Sequence, residues 1–122
     1  MTTRLWRTGF AALAALIALP AQAASFDCAH ARAPDEIAVC ANPQLSALDS
    51  EMGGLWYAYS RVPMLMGSNG NRQDAAEAFL ATRRQCGGDV ACLTRAYNTR
   101  NAALKSDIDA AMADYNRLQN GG

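Results

Sequence analysis

The sequence has a single histidine, no excess of positive charge, and no apolar run long enough to cross a bilayer. In 122 residues, 11 Lys and Arg balance 11 Asp and Glu. A nucleic-acid binder would show a basic surplus, so none is expected. A Ser-His-Asp or Cys-His device would have to be built on His30, the only histidine, which stands two residues after Cys28. The cysteine spacings are C-x11-C and C-x5-C, so the C-x-x-C of a thiol oxidoreductase and the C-x-x-C-H of haem attachment are both missing. No glycine loop for phosphate is present, and no stretch alternates like a strand.

Carboxylate pairs offer little to an enzyme either, although glycoside hydrolysis needs two. Asp49 and Glu51 are two apart on a helical pattern and point to different sides. Asp35 and Glu36 read as first-turn charges, and Asp107 and Asp109 as a solvated face. Met64 and Met66 form an M-x-M pair of the kind that ligates Cu(I), but without further ligands they read as apolar packing. The expectation is a protein that is not an enzyme and holds no metal or cofactor.

Residues 1–23 have the three-part order of a secretory signal. Arg4 and Arg7 are the basic start, and Gly9 to Leu19 is an uncharged run of eleven residues. Pro20 breaks the run, and Ala21-Gln22-Ala23 is an A-x-A cleavage site. A membrane span needs about 20 apolar residues. Cleavage after Ala23 would leave one domain, residues 24–122, with nine basic and eleven acidic groups and a charge near −2. The expected location is periplasmic or secreted, with no stable membrane insertion once the signal is removed. The 51% hydrophobic content is raised by the alanine and leucine run of this leader.

All four cysteines follow the leader. Export exposes them to an oxidising compartment, where an even count reads as two disulfides. Three pairings are open. The local one, Cys28 with Cys40 and Cys86 with Cys92, is favoured because each pair brackets a turn. Each short loop would contribute about 2–3 kcal/mol in the chain-entropy account.

Helical signals fill the rest. After an irregular lead-in over 24–33, Pro34 suits a first helical turn, with Asp35 and Glu36 behind it. That short helix stops at Asn42-Pro43, where Asn42 caps the next one. Leu45, Leu48, Met52, Leu55, Trp56, Tyr59 and Val62 recur at spacings of three and four, the period of an amphipathic helix. Gly53-Gly54 interrupts the stripe and allows close packing or a bend. Residues 67–72 (GSNGNR) read as a loop. A third helix is expected from about Gln73 to Gln85 with Ala75, Ala76, Phe79 and Leu80 inside. Gly87-Gly88 ends it, and Asp89 caps a last helix of about 29 residues carrying Leu93, Tyr97, Leu104, Ile108, Ala111, Met112, Tyr115 and Leu118. The expected fold is all-α: a small disulfide-stapled bundle of two long and two short helices. Candidate partner-binding groups are Ser68, Asn69 and Arg72 on the presumed tip, and Arg83 and Arg84 before the second cysteine pair.

The cysteine frame carries a resemblance. Phe26-Asp27-Cys28, Ala31, Glu36, Cys40, Leu45 and Leu48-Asp49 are followed by Phe79-Leu80, Arg83, Cys86, Cys92-Leu93, Tyr97, Arg100 and Leu104. In this order they resemble the lysozyme inhibitor LprI-like N-terminal domain over about residues 26–104. The chain departs from that pattern at Phe79 (usually Trp), at Ala33 (usually Ser or Thr), at Trp56 (for a tyrosine), at Gly53-Gly54, and over 63–72. The resemblance implies a structural motif of Asp27, Glu36, Leu48, Asp49, Phe79, Tyr97 and Arg100. It also implies inhibition of a lysozyme or another peptidoglycan hydrolase by blocking the muramidase cleft. Donors from Ser68, Asn69 and Arg72, or from Arg83 and Arg84, would meet the cleft's two carboxylates. The alternative is an envelope binding module, such as an immunity-type partner of another periplasmic protein.

Overall fold

The computed structural model describes residues 24–121; the signal-like segment 1–23 lies outside them. Four helices follow a 3-10 turn at Cys28–His30: α1 (Pro34–Ala41), α2 (Pro43–Ser60), α3 (Met66–Cys86) and α4 (Val90–Asn120). The described residues contain no strand, so the all-α expectation holds. No helix among them is long and apolar enough to cross a membrane.

Most of the helix starts have a local cause. Pro34 and Pro43 open α1 and α2, where a missing N–H removes no helical bond. The Asn42 side chain accepts from the N–H groups of Gln44 and Leu45, so one residue separates two helices. Ser46 then donates to the Val39 carbonyl at 2.6 Å and fixes that elbow. Asp89 caps α4 through the Cys92 N–H. Gly87 ends α3 at φ +55°, a left-handed conformation that favours glycine.

α4 has 31 residues, about 46 Å at 1.5 Å each, and packs most extensively on α2. Asn101 donates to the Leu48 carbonyl and Lys105 pairs with Glu51, tying α4 to α2. One apolar cluster gathers Val39, Leu45, Phe79, Leu93 and Tyr97, with Leu48 packed against it. A second joins Tyr59, Val62, Leu104 and Ala111, and Met52 touches both. The disulfides are the two local ones. Cys28–Cys40 ties the 3-10 turn to the end of α1, and Cys86–Cys92 ties α3 to α4.

Residues 67–72 differ from their expected loop: α3 begins at Met66 and runs through them. Two glycines and two asparagines make a poor intrinsic helix. Arg72 overrides that preference by donating to the carbonyls of Tyr59 and Val62 at the end of α2. α3 is therefore 21 residues long. Gly53 and Gly54 do not break α2. A Cβ at Gly53 would lie 2.8 Å from the Ser25 Cβ, so this glycine admits the N-terminal segment against the helix.

Candidate functional site

A connected group of polar side chains is buried between the helices. Arg83, from the last turns of α3, places Nε 2.7 Å from Asp35 Oδ2 on α1. Its Nη1 donates to the Tyr97 hydroxyl on α4 at 3.5 Å, and that hydroxyl donates to Asp49 Oδ1 on α2 at 2.8 Å. The other Asp49 oxygen accepts the Ser25 N–H at 2.5 Å. Four helices and the N-terminal segment thus meet in one chain of hydrogen bonds. Phe26 lies against the Arg83 guanidinium at 5.3 Å, and Phe79 meets Tyr97 edge-on at 5.2 Å.

The electrostatics follow from this geometry. Burial works against the charge of Arg83, but Tyr97 and Asp35 outweigh it and hold its pKa above the ordinary value. Burial and the neighbouring Asp49 carboxylate push the Tyr97 phenol well above 10. Nearer the surface, the Glu36 carboxylate accepts from the N–H groups of Arg32 and Ala33, which lowers its pKa. It supplies half of a capping box for α1, since Ala33 has no acceptor to supply the other half. Asp27 caps the 3-10 turn through the Ala29 N–H and pairs with exposed His30 at 2.6 Å.

Asp27, Glu36, Leu48, Asp49, Phe79 and Tyr97 therefore act as caps, packing groups or members of the buried chain. Arg100 is different. It is 8% exposed and stacks over Trp56 at 6.0 Å, with no hydrogen bond or ion pair among the described residues.

The five candidate contact residues are not brought together. Arg72 turns inward, where its Nη2 also donates to Asn69 Oδ1 at 2.5 Å. Arg83 is held in the buried chain. Ser68, Asn69 and Arg84 are exposed. The first two lie at one end of α3 and Arg84 near the other, roughly 24 Å away along the axis. Sequence reading missed Asp35, which is 2% exposed. The available signal was its i,i+4 spacing from Val39, which puts both on one face of α1.

It also missed an exposed apolar corner. Leu65 is 77% exposed, Met66 92% and Leu118 72%. Beside them a groove of about 360 Å³ runs between the α2–α3 connection and the end of α4, lined by Pro63, Met64, Leu65, Ser68, Tyr115 and Leu118 among others. Met64 packs on the second apolar cluster while Met66 faces solvent, so the M-x-M pair does not converge. No group of three or more His, Cys, Asp or Glu residues among those described could hold a metal ion. The chain matches no protein-family model, no curated protein and no solved structure.

Proposed function

We propose that this protein is an exported inhibitor of a lysozyme-type muramidase, working as a rigid helical binder. The observation that carries the reading is the convergence of the resembling positions. Glu36 caps α1, Asp49 and Tyr97 are linked by a hydrogen bond, Phe79 packs on Tyr97, and both cysteine pairs close locally. Residues scattered over some 80 positions make one frame, which supports reading them as a single motif rather than as chance matches. The two disulfides suit an oxidising compartment, in keeping with a secreted or periplasmic location.

On this reading the contact surface is the corner where α2 gives way to α3. Leu65 and Met66 project there beside the polar Ser68 and Asn69. An apolar anchor rimmed by hydrogen-bonding groups is the usual anatomy of a protein-binding patch. Ser68 and the Asn69 amide would donate to the muramidase's cleft carboxylates. A charge near −2 after leader removal would favour encounter with a basic lysozyme.

The test is a cell-wall lysis assay with oxidised protein. Saturable inhibition is expected, weakened about tenfold or more by L65D or M66D, which put a carboxylate at the uncapped start of α3 and should not lower the melting temperature. An unchanged lysis rate at high molar excess contradicts the proposal. Capture of one non-hydrolase envelope protein, without lysozyme binding, would favour the alternative of an immunity-type module. The same corner favours that reading too, because the groove specifies a protein surface and not its owner.

A further inference from the structure

Arg100 is a buried arginine with no carboxylate in direct contact among the described residues. Its residue is 8% exposed, its Nε has no partner, and no carboxylate stands within ion-pair distance among the described residues. Two other buried arginines make more contacts, although the Arg72 Nε is also without a partner. Arg83 has Asp35, and Arg72 has two carbonyls and Asn69. A buried guanidinium nitrogen with no acceptor leaves hydrogen-bonding capacity unused, at a cost to the folded chain.

Its surroundings indicate what would pair it. Arg100 lines a cavity of about 170 Å³ where α2, α3 and α4 meet, walled by Met52, Trp56, Ala76, Phe79 and Leu80. Apart from the guanidinium, that wall is apolar. Arg100 also lines the floor of an outer groove that carries Thr82, Arg95 and Thr99. One guanidinium therefore borders both a groove with a second arginine and a half-open apolar pocket. Burial lowers its pKa, with Asp107 and Tyr59 acting in the opposite direction.

We propose that Arg100 and this cavity form a binding site for a small monocarboxylate with a compact apolar body. The guanidinium would take the carboxylate through its planar fork. The chamber would take the apolar body. A cavity of similar size, about 150 Å³, is known to accommodate a benzene ring, so the fitting class is an aromatic acid or a chain of about six carbons. This site is remote in kind from the protein-binding corner and does not depend on the muramidase reading.

The probes are benzoate and hexanoate, with benzyl alcohol and hexanol as neutral counterparts. The chain has two tryptophans, Trp6 and Trp56, so W6F leaves Trp56, in the cavity wall, as the sole indole reporter. In the W6F chain, both carboxylates should change Trp56 fluorescence saturably and raise the melting temperature. The alcohols should bind about 10- to 100-fold more weakly, the worth of a charge-assisted hydrogen-bond pair. R100M should melt no lower than its parent, because it removes a buried guanidinium nitrogen that has no acceptor, and it should lose the preference for carboxylates. A76L should fill the chamber and abolish binding of all four probes. Equal binding of acids and alcohols, or no saturable response, overturns the proposal. So does an R100M protein that keeps the carboxylate preference. The comparison of acids with alcohols decides the matter even if a variant fails to fold.

Discussion

Asp35 and Arg83 show how a single residue can change meaning between sequence and structure. Asp35 reads as a helix-start charge and Arg83 as a surface cation. Packed, they are a buried pair at 2.7 Å. Arg83 also lies 3.9 Å from Asp49 and 4.0 Å from Glu36, so R83M, which strands Asp35, should cost about 3–5 kcal/mol in denaturant unfolding and D35A less, while D35A/R83M should cost less than the sum of the two. Strict additivity would mean that the pair is not coupled. Tyr97 adds a pH dependence. Its folded pKa lies above its unfolded value near 10, so its contribution is complete below pH 10 and is lost as pH rises through the folded value. Stability should therefore fall above pH 10, read as a drop in the urea midpoint. Y97F should cost about 1–3 kcal/mol at neutral pH and flatten the alkaline limb. The Asp49–Tyr97 contact spans 48 positions, and no local pattern reveals such a pairing. Its members were legible only as parts of the motif resemblance.

Among the elements, α1, α2 and α4 were legible because their caps and apolar periods agree. Pro34, Asn42-Pro43 and Asp89 mark their starts, and the stripe from Leu45 to Val62 marks a face. The first turns of α3 were not legible, because Gly67, Asn69, Gly70 and Asn71 favour a loop and the opposing force is tertiary: Arg72 bonded to the end of α2. Gly70 lies inside the helix with open space where a Cβ would go. G70A should therefore stabilise the protein by about 0.5–1 kcal/mol, read as a shift of the urea midpoint. A neutral or destabilising result would indicate that residues 67–72 are not helical. At the start of α1, the lowered pKa of Glu36 gives the opposite sign from Tyr97. Its contribution is present above the unfolded value near 4.5 and is lost as pH falls through the lower folded value. E36Q should accordingly lessen the loss of stability between about pH 5 and 3 in acid titrations.

At the scale of the whole molecule, both disulfides adjoin the first apolar cluster: Cys86 packs against it, and Cys40 follows Val39, one of its members. Cys28–Cys40 closes a separation of 12 residues and Cys86–Cys92 one of 6. Paired serine replacements should lower stability by about 3 and about 2 kcal/mol respectively. This frame was readable in the sequence, since local cysteine pairs and helical periods act over short distances. The exposed apolar corner was not, because Met66 and Leu118 read as packing residues until the fold leaves them outside. The central claim is that this frame presents a surface that stops a muramidase. The most direct measurement is the rate of cell-wall lysis by a lysozyme titrated with the oxidised protein. The account predicts a rate that falls saturably with added protein and recovers when the disulfides are reduced. A lysis rate that stays constant across the titration would contradict it.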